Sequence, residues 1–276
     1  IFGHSDTDAY QIFFPLAIIW ALVEAYRAKD LKKKIGLSVL TGAIMGIYSF
    51  AWEGWWYLFD FIGAAIVIYL IVIIAMEFMK KQHKDILKNE YVRNIGLVAG
   101  IGVLVTGIFV SIIHGPMKFL TSPLEPLLFS RIDSAVLEGI WPNVYTTVAE
   151  LNNANMAQVI GAVGGKALFA FSIIGIILLA LKKEAGQDRR QYLLYFILLL
   201  IWYGGVIYAA QKGIRFILLI IPPFAIAFGI GAGLLWQKTS DFLHKHLHVS
   251  KKISMALIII IIIVFFWGQV KIARIV

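Results

Sequence analysis

The sequence contains no cysteine, and few of its 276 residues are charged. Without thiols the chain has neither a disulfide nor a cysteine-ligated metal site, and cysteine usage says nothing about its redox compartment. Asp, Glu, Lys and Arg make up 15% of the residues, whereas 60% are hydrophobic. Soluble domains carry about 25% charged residues, so this composition excludes a water-soluble globule and predicts a membrane protein.

Long apolar stretches recur along the chain, each about the length needed to cross a ~30 Å hydrocarbon core. They predict an all-α, polytopic membrane protein with about eight transmembrane helices. The predicted spans are 10–27, 35–52, 57–79, 95–113, 167–181, 192–209, 214–236 and 253–270. The chain does not begin with Met, and residues 1–8 lack the basic start of a signal peptide. We therefore expect a fragment whose N-terminal portion is missing.

The positive charge is concentrated in four short connections between the predicted spans. The net charge is +9, and 18 of the 25 Lys and Arg residues lie in 27–34, 80–93, 182–190 and 238–252. Because basic loops stay in the cytoplasm, these four connections are predicted to be cytoplasmic. This distribution is typical of membrane anchoring and argues against a nucleic-acid partner. The N-terminus, residues 52–57, the loop 114–166, residues 211–215 and the C-terminus are then external.

Several local patterns predict how the spans are packed and shaped. Gly42-x-x-x-Gly46 and Gly96-x-x-x-Gly100 would allow close approach of helices. Pro222-Pro223 should kink or break the seventh span. The external loop is longer than a connection requires, and its prolines favour short helical pieces over one long helix. Aromatic residues cluster at the predicted outer boundary of the second and third spans; they are Trp52, Trp55, Trp56 and Tyr57. Such a cluster is typical of an interfacial aromatic belt. The alternative is that these rings form a surface on which a sugar stacks.

Two acids, Asp6 and Asp8, stand directly before the first predicted span. A helix start favours an acid in its first turn, so both residues have a structural explanation. Two carboxylates at this position are also hard oxygen ligands of the kind that Mg²⁺ and Mn²⁺ prefer. The two interpretations are compatible with each other, and both stay open.

Glu150 and Arg215 are the other candidate site residues on the predicted external face. Glu150 follows Thr147-Val-Ala in the long loop and has apolar neighbours in sequence. An acid held among apolar residues is costly unless it is paired, and a metal or a substrate amide would pair it. Arg215 begins the seventh span, where it could snorkel to lipid headgroups or bind a phosphate through bidentate hydrogen bonds.

The order of these motifs resembles the catalytic subunit of the archaeal oligosaccharyltransferase. Asp6-Thr-Asp8 precedes a span, Thr147-Val-Ala-Glu150 lies in a long external loop, and Gly213-Ile-Arg215-Phe216 opens a later span. The resemblance extends over essentially the whole chain. It implies a partial membrane domain of a GT-C type glycosyltransferase, with residues 1–276 as its transmembrane catalytic part and 114–166 as its external loop.

The resemblance also implies an activity and a set of partners. The enzyme would transfer a glycan from a polyisoprenyl (dolichyl) phosphate or diphosphate carrier to the Asn of Asn-x-Ser/Thr, with Mn²⁺ or Mg²⁺ as cofactor. Its partners would be the lipid-linked oligosaccharide donor, an acceptor polypeptide and the bilayer. By resemblance, Asp6, Asp8 and Glu150 are the metal ligands and catalytic residues, and Glu150 also touches the acceptor amide. Arg215 would bind the carrier phosphate.

Two motifs of that family are missing from this sequence. The first acidic motif would precede residue 1, and the Trp-Trp-Asp motif of the C-terminal soluble domain would follow residue 276; Trp55-Trp56 is followed by Tyr57 instead. We therefore expect the earlier spans and the soluble domain to be absent, and the fragment alone to be inactive. The expected location is the plasma membrane, with the active site on the external face. The alternatives are another GT-C glycosyltransferase that uses a polyisoprenyl-phosphate sugar and, from a different class, a secondary transporter.

Overall fold

The structure is a computed structural model, and it describes residues 8–79, 89–125, 153–182 and 189–247, together with positions 250, 253, 256, 259 and 260. Within these residues the chain forms α-helices and short 3₁₀ segments, without strands. The helices in the described ranges are α1 (Asp8–Arg27), α2 (Leu31–Ala51), α3 (Trp56–Met79), α4 (Glu90–His114), α5 (Pro116–Thr121), α6 (Met156–Ala162), α7 (Lys166–Leu181), α8 (Arg189–Lys212) and α9 (Ile221–Leu247).

Six helical segments in the described part are long and apolar enough to cross a membrane. They are α1, α2, Glu53–Met79, α4, most of α8, and Ile214–His246. The bent pair α6 and α7 would add a seventh span. These seven correspond to the first seven predicted spans, and most of the eighth, 253–270, lies outside the described residues. The chain is therefore an all-α integral membrane protein, as the sequence predicts.

The helices group into two compact units. Unit 1 consists of Ile1–Asn152 and Leu193–Gly205, and it contains α1 to α5 with the middle of α8. Unit 2 consists of Asn153–Tyr192 and Val206–Val276, and it contains α6, α7, α9 and both ends of α8. The assignment of residues 1–276 to one catalytic membrane domain stays a prediction.

In unit 1, α2 packs against both α1 and α4. A Cβ added to Gly42 would lie 2.6 Å from the carbonyl oxygen of Gly102, and one added to Gly46 would overlap Phe109. The Thr106 hydroxyl donates to the carbonyl oxygens of Gly102 (2.8 Å) and Gly42 (3.3 Å), which links the two helices. The predicted close approach is confirmed for this first glycine pair.

The second glycine pair behaves differently. An added Cβ at Gly96 or Gly100 would have no described neighbour within 4 Å. The predicted close approach is therefore wrong for these two positions in the described part of the chain, because their side of α4 has no helix packed against it there. A small-residue motif gives helices the ability to approach, but the tertiary arrangement decides whether they do.

The aromatic cluster of residues 52–57 is partly buried inside unit 1. Phe14 of α1 stacks on Tyr48 of α2 with ring centroids 5.2 Å apart, and Tyr48 in turn contacts Trp52 at 5.8 Å. Trp55 and Tyr57 are only 1% and 6% exposed. For these two residues the interfacial belt is wrong, because their rings fill the space between helices and do not face the headgroups.

In unit 2, the most extensive packing is between α7 and α9. The short helix α6 meets α7 at an angle of 85°. Gly164 and Gly165 form the bend with φ values of 90° and 99°, a region that side chains with a Cβ rarely adopt. The segment before α9 is a 3₁₀ helix, Ile214–Ile220, and the helix type changes directly before Pro222 and Pro223. This change agrees with the predicted break, since prolines are tolerated in the first turn of an α-helix.

Replacing Gly175 by alanine is expected to destabilise unit 2 by about 1–3 kcal/mol. A Cβ at Gly175 would overlap the backbone carbonyl of Ala227 and lie 3.0 Å from the Gly231 nitrogen, so α7 and α9 would have to separate. Gly233→Ala is the matched control, because its Cβ would meet open space and alanine favours a helix. Thermal unfolding of the detergent-purified variants measures the difference. Equal melting temperatures for both variants would contradict the close contact.

Candidate functional site

Asp8 is the first residue of α1, and its side chain is exposed. It has no hydrogen-bond or ion-pair partner among the described residues. An acid in the first turn is favoured by the helix dipole, which explains the position without requiring a ligand. The same placement leaves both carboxylate oxygens available to a cation. Asp6, its predicted partner, lies outside the described residues.

The start of α1 is held by packing a few residues further along the helix. Phe14 stacks on Tyr48, whose side chain is fully buried, and Phe14 also contacts Tyr10 at a ring distance of 6.1 Å. Pro15 lies inside the helix next to this contact and is buried. Buried aromatic contacts fix the orientation of a helix better than exposed polar ones do. The first turn with Asp8 is therefore presented by a firmly packed part of unit 1.

Arg215 lies in the 3₁₀ segment Ile214–Ile220, and its side chain is exposed. Its guanidinium carbon is 5.9 Å from the ring centroid of Phe216. No described carboxylate lies within 4 Å of it, so its N–H donors are not used in an ion pair within the described chain. A planar guanidinium with free donors is suited to two parallel hydrogen bonds with a phosphate.

The end of the external loop packs beside the segment that carries Arg215. Helix α6 contacts the 3₁₀ segment Ile214–Ile220. The Nε2 atom of Gln211 lies 3.9 Å from the Sδ atom of Met156. Asn155 and Gln158 form a capping box at the start of α6, with hydrogen bonds of 2.8 and 2.9 Å. Glu150 itself lies outside the described residues, five positions before Asn155 in the sequence.

Sequence reasoning missed a charged cluster at the start of the external loop. The Nζ atom of Lys118 in α5 lies 2.7 Å from the Oε1 atom of Glu125. The Oδ2 atom of Asp60 in α3 is buried without a hydrogen-bond partner in the described chain. Phe119 packs on Phe59 at 5.8 Å beside this cluster. These contacts hold residues 116–125 beside the N-terminal end of α3. In the sequence, the only sign of this ion pair is that Lys118 and Glu125 have opposite charges and lie seven residues apart.

The described residues contain no group of three or more His, Asp or Glu side chains that could hold a metal. Two of the three predicted ligands, Asp6 and Glu150, lie outside the described ranges, so their convergence with Asp8 is not tested. Asp8 itself fits the requirement, because it offers unpaired carboxylate oxygens of the type that hard divalent cations prefer. Asp8 belongs to unit 1 and Arg215 to unit 2.

Residues 1–273 match the family model described as the N-terminal part of oligosaccharyl transferase STT3. Among similar curated proteins, the dolichyl-phosphooligosaccharide-protein glycotransferase of Methanococcus voltae is 28% identical over 278 residues. The protein of the same name from Methanocaldococcus jannaschii is 33% identical over 248 residues. The matches cover 93% and 84% of this chain but 30% and 26% of the relatives. The chain thus spans less than a third of their length.

Solved structures with a similar fold come from Archaeoglobus fulgidus. One is its oligosaccharyltransferase tethered to an acceptor peptide containing the NVT sequon. This match has a TM-score of 0.56 and 14% sequence identity, and it covers 99% of this chain and 38% of that one. Another is its oligosaccharyltransferase AglB in complex with an inhibitory peptide and a dolichol-phosphate, with a TM-score of 0.54, 15% identity and coverage of 99% and 38%. At these identities the likeness shows a shared fold.

Proposed function

Because the chain belongs to the oligosaccharyl transferase STT3 family, we propose that the full-length protein is a glycosyltransferase of N-glycosylation. It transfers a glycan from a polyisoprenyl (dolichyl) phosphate or diphosphate carrier to the Asn of an Asn-x-Ser/Thr sequence. The family match over residues 1–273 carries this proposal. The solved relatives with an acceptor peptide and with a dolichol-phosphate support the same two partners.

In the proposed site, three acidic residues bind the metal and the acceptor, and one arginine binds the carrier phosphate. Asp8, with Asp6 and Glu150, would hold a divalent cation, Mn²⁺ or Mg²⁺, through carboxylate oxygens. When bound, this cation supplies positive charge that polarises and positions the acceptor. Glu150 would also orient the acceptor asparagine amide. The amide nitrogen forms a bond to the anomeric carbon with inversion as the bond from that carbon to the carrier phosphate breaks, and the nitrogen loses one proton to solvent. Arg215 donates to the carrier phosphate and offsets the negative charge that develops there as the sugar leaves.

The proposed location is the plasma membrane, with the site on the external face. The basic connections between spans support this orientation, because 18 of 25 Lys and Arg residues lie on one predicted side. Asp8 and Arg215 both lie at helix ends on the opposite predicted side.

Single cysteines introduced at exposed positions should label according to this orientation. Cysteines replacing Glu53 and Lys166 are expected to react with an impermeant maleimide from outside, and those replacing Lys33 and His246 only after the cells are opened. All four side chains are exposed, and the chain has no native thiol to give a background signal. Labelling of all four positions from the outside, or the reverse pattern, would contradict the orientation.

The two alternative functions, a secondary transporter and another GT-C glycosyltransferase, have less support than the proposed one. A secondary transporter is expected to place ionisable residues near the middle of its spans. In the described spans Glu24, Glu53, Asp60 and Glu77 instead lie toward the ends of their helices. Another GT-C enzyme would use a similar donor without a peptide acceptor. The choice of acceptor therefore distinguishes it from the proposed function.

The proposal is tested with the full-length protein purified in detergent and supplied with lipid-linked oligosaccharide. A fluorescent peptide containing Asn-Val-Thr should gain the mass of the glycan, and the matched peptide containing Gln-Val-Thr should not. Chelation of divalent cations should stop the reaction, and Mn²⁺ or Mg²⁺ should restore it. Transfer of sugar to a lipid or saccharide acceptor, with none to the peptide, would instead establish the other GT-C function.

A further inference from the structure

A cavity of about 350 Å³ lies between α7 and α9, at the ends of these helices that are predicted to face the cytoplasm. Leu178 and Leu181 form an apolar part of its wall. Lys182, Lys238 and Asp241 are the charged residues among its described lining. The cavity belongs to unit 2 alone and lies far along the chain from Arg215, at the other end of α9 from the proposed catalytic face.

The charges that line this cavity favour an anionic ligand. The described lining residues include two lysines and one aspartate, so these residues together carry a net positive charge. The Nζ atom of Lys182 lies 5.1 Å from the ring centroid of Tyr192, a cation–π contact that positions the ammonium. Lys238 is exposed, and no described carboxylate lies within 4 Å of it.

The apolar surroundings indicate that this anion is part of a lipid. Along α7, Ile174, Ile177 and Leu181 are 48%, 51% and 69% exposed, as expected for side chains that face hydrocarbon. The cavity therefore lies where a membrane-spanning helix reaches the headgroup region. A lining that combines leucines with lysines matches a molecule that is apolar at one end and phosphate-bearing at the other.

We propose that this cavity binds the headgroup of an anionic glycerophospholipid from the inner leaflet. Lys182 and Lys238 donate hydrogen bonds to the phosphate oxygens, and Asp241 accepts one from a headgroup hydroxyl. The upper parts of the lipid chains lie against Leu178 and Leu181. This site is separate from the donor-binding site of the proposed reaction and does not depend on that function.

Lipid binding is measured with the full-length protein, delipidated in detergent and titrated with phosphatidylglycerol or phosphatidylcholine, by native mass spectrometry. The wild type is expected to bind one phosphatidylglycerol in preference to phosphatidylcholine. Lys182→Ala/Lys238→Ala should weaken this binding about tenfold or more, since each lysine makes a charged contact. Lys245→Ala is the matched control, because this exposed lysine of α9 does not line the cavity. If the double variant does not fold, Lys238→Gln alone replaces it.

Three results would overturn the proposal. Equal losses for the cavity variant and Lys245→Ala would mean that general charge attraction, without a defined site, accounts for binding. Equal affinity for the two lipids would exclude recognition of an anionic headgroup. Displacement of the lipid by inorganic phosphate at low millimolar concentration would identify a soluble anion as the ligand. Selective, saturable binding that only the cavity variant loses supports the site.

Discussion

Replacing Asp8 by asparagine in the full-length protein is expected to lower the rate of glycopeptide formation by about 10²–10³, the cost of removing one preorganised electrostatic contact. An amide oxygen carries no full negative charge, so it is a poor ligand for a hard divalent cation. Asp8 is exposed and has no partner in the described chain, so the substitution removes no packing or ion pair there. The loss should therefore appear in turnover while the protein stays folded.

A titration with Mn²⁺ separates metal binding from other roles of Asp8. The Asp8→Asn enzyme should require a higher Mn²⁺ concentration for half-maximal rate than the wild type does. Glu24→Gln is the matched control, since Glu24 is an acid near the other end of α1 and forms a 3.2 Å ion pair with Arg27. Exposed ion pairs of this kind contribute little to stability. If the Asp8→Asn enzyme required the same Mn²⁺ concentration as the wild type, Asp8 would not be a metal ligand. Its only role would then be to stabilise the start of α1.

The spans could be predicted from the sequence because their signal is local. A run of apolar residues long enough to cross the bilayer specifies a helix whatever its neighbours are. The break before Pro222 is equally local, since it follows from the missing N–H of proline. Short helices in the external loop, α5 and α6, were expected from the spacing of its prolines, and the described parts of the loop contain them.

Features that depend on which helices meet could not be predicted in the same way. Gly42 and Gly96 begin the same small-residue pattern, yet only Gly42 is packed against another helix in the described chain. Trp55 has the sequence context of an interfacial residue but is buried. Phe59 and Phe119 are 60 positions apart in the sequence, and no periodicity connects them, yet their rings are in contact. Such contacts are set by tertiary packing, which the local pattern of residue types does not specify.

The family was recognised correctly from motif order, and the match over residues 1–273 confirms it. The roles of individual site residues are a different matter. Asp8 and Arg215 are exposed at helix ends, and their predicted roles stay predictions. Asp6 and Glu150 lie outside the described residues, so their part in a metal site stays a prediction. Short motifs can identify a family through their order, but convergence of their side chains is a property of the folded chain.

Replacing Arg215 by alanine is expected to weaken use of the lipid-linked donor about ten- to a hundredfold, with little change in the KM for acceptor peptide. A charged hydrogen bond to a phosphate contributes about 1.5–3 kcal/mol, which corresponds to one to two decades in rate. The Arg215 guanidinium has no described carboxylate within 4 Å, so its removal breaks no ion pair in the described chain. Arg215→Lys should recover part of the loss, because lysine keeps the charge but not the planar pair of donors.

Glycopeptide formation measured while donor and acceptor are varied separately distinguishes this role from a structural one. Lys166→Ala is the matched control, since Lys166 is an exposed cation at the start of α7 in the same unit. Its removal should leave the dependence on donor concentration unchanged. A general loss of surface charge or stability would lower the rate at every donor concentration, whereas loss of a phosphate contact is relieved in part by more donor. An Arg215→Ala enzyme with unaltered donor dependence would remove this residue from the site and leave it as an anchor at the lipid headgroups.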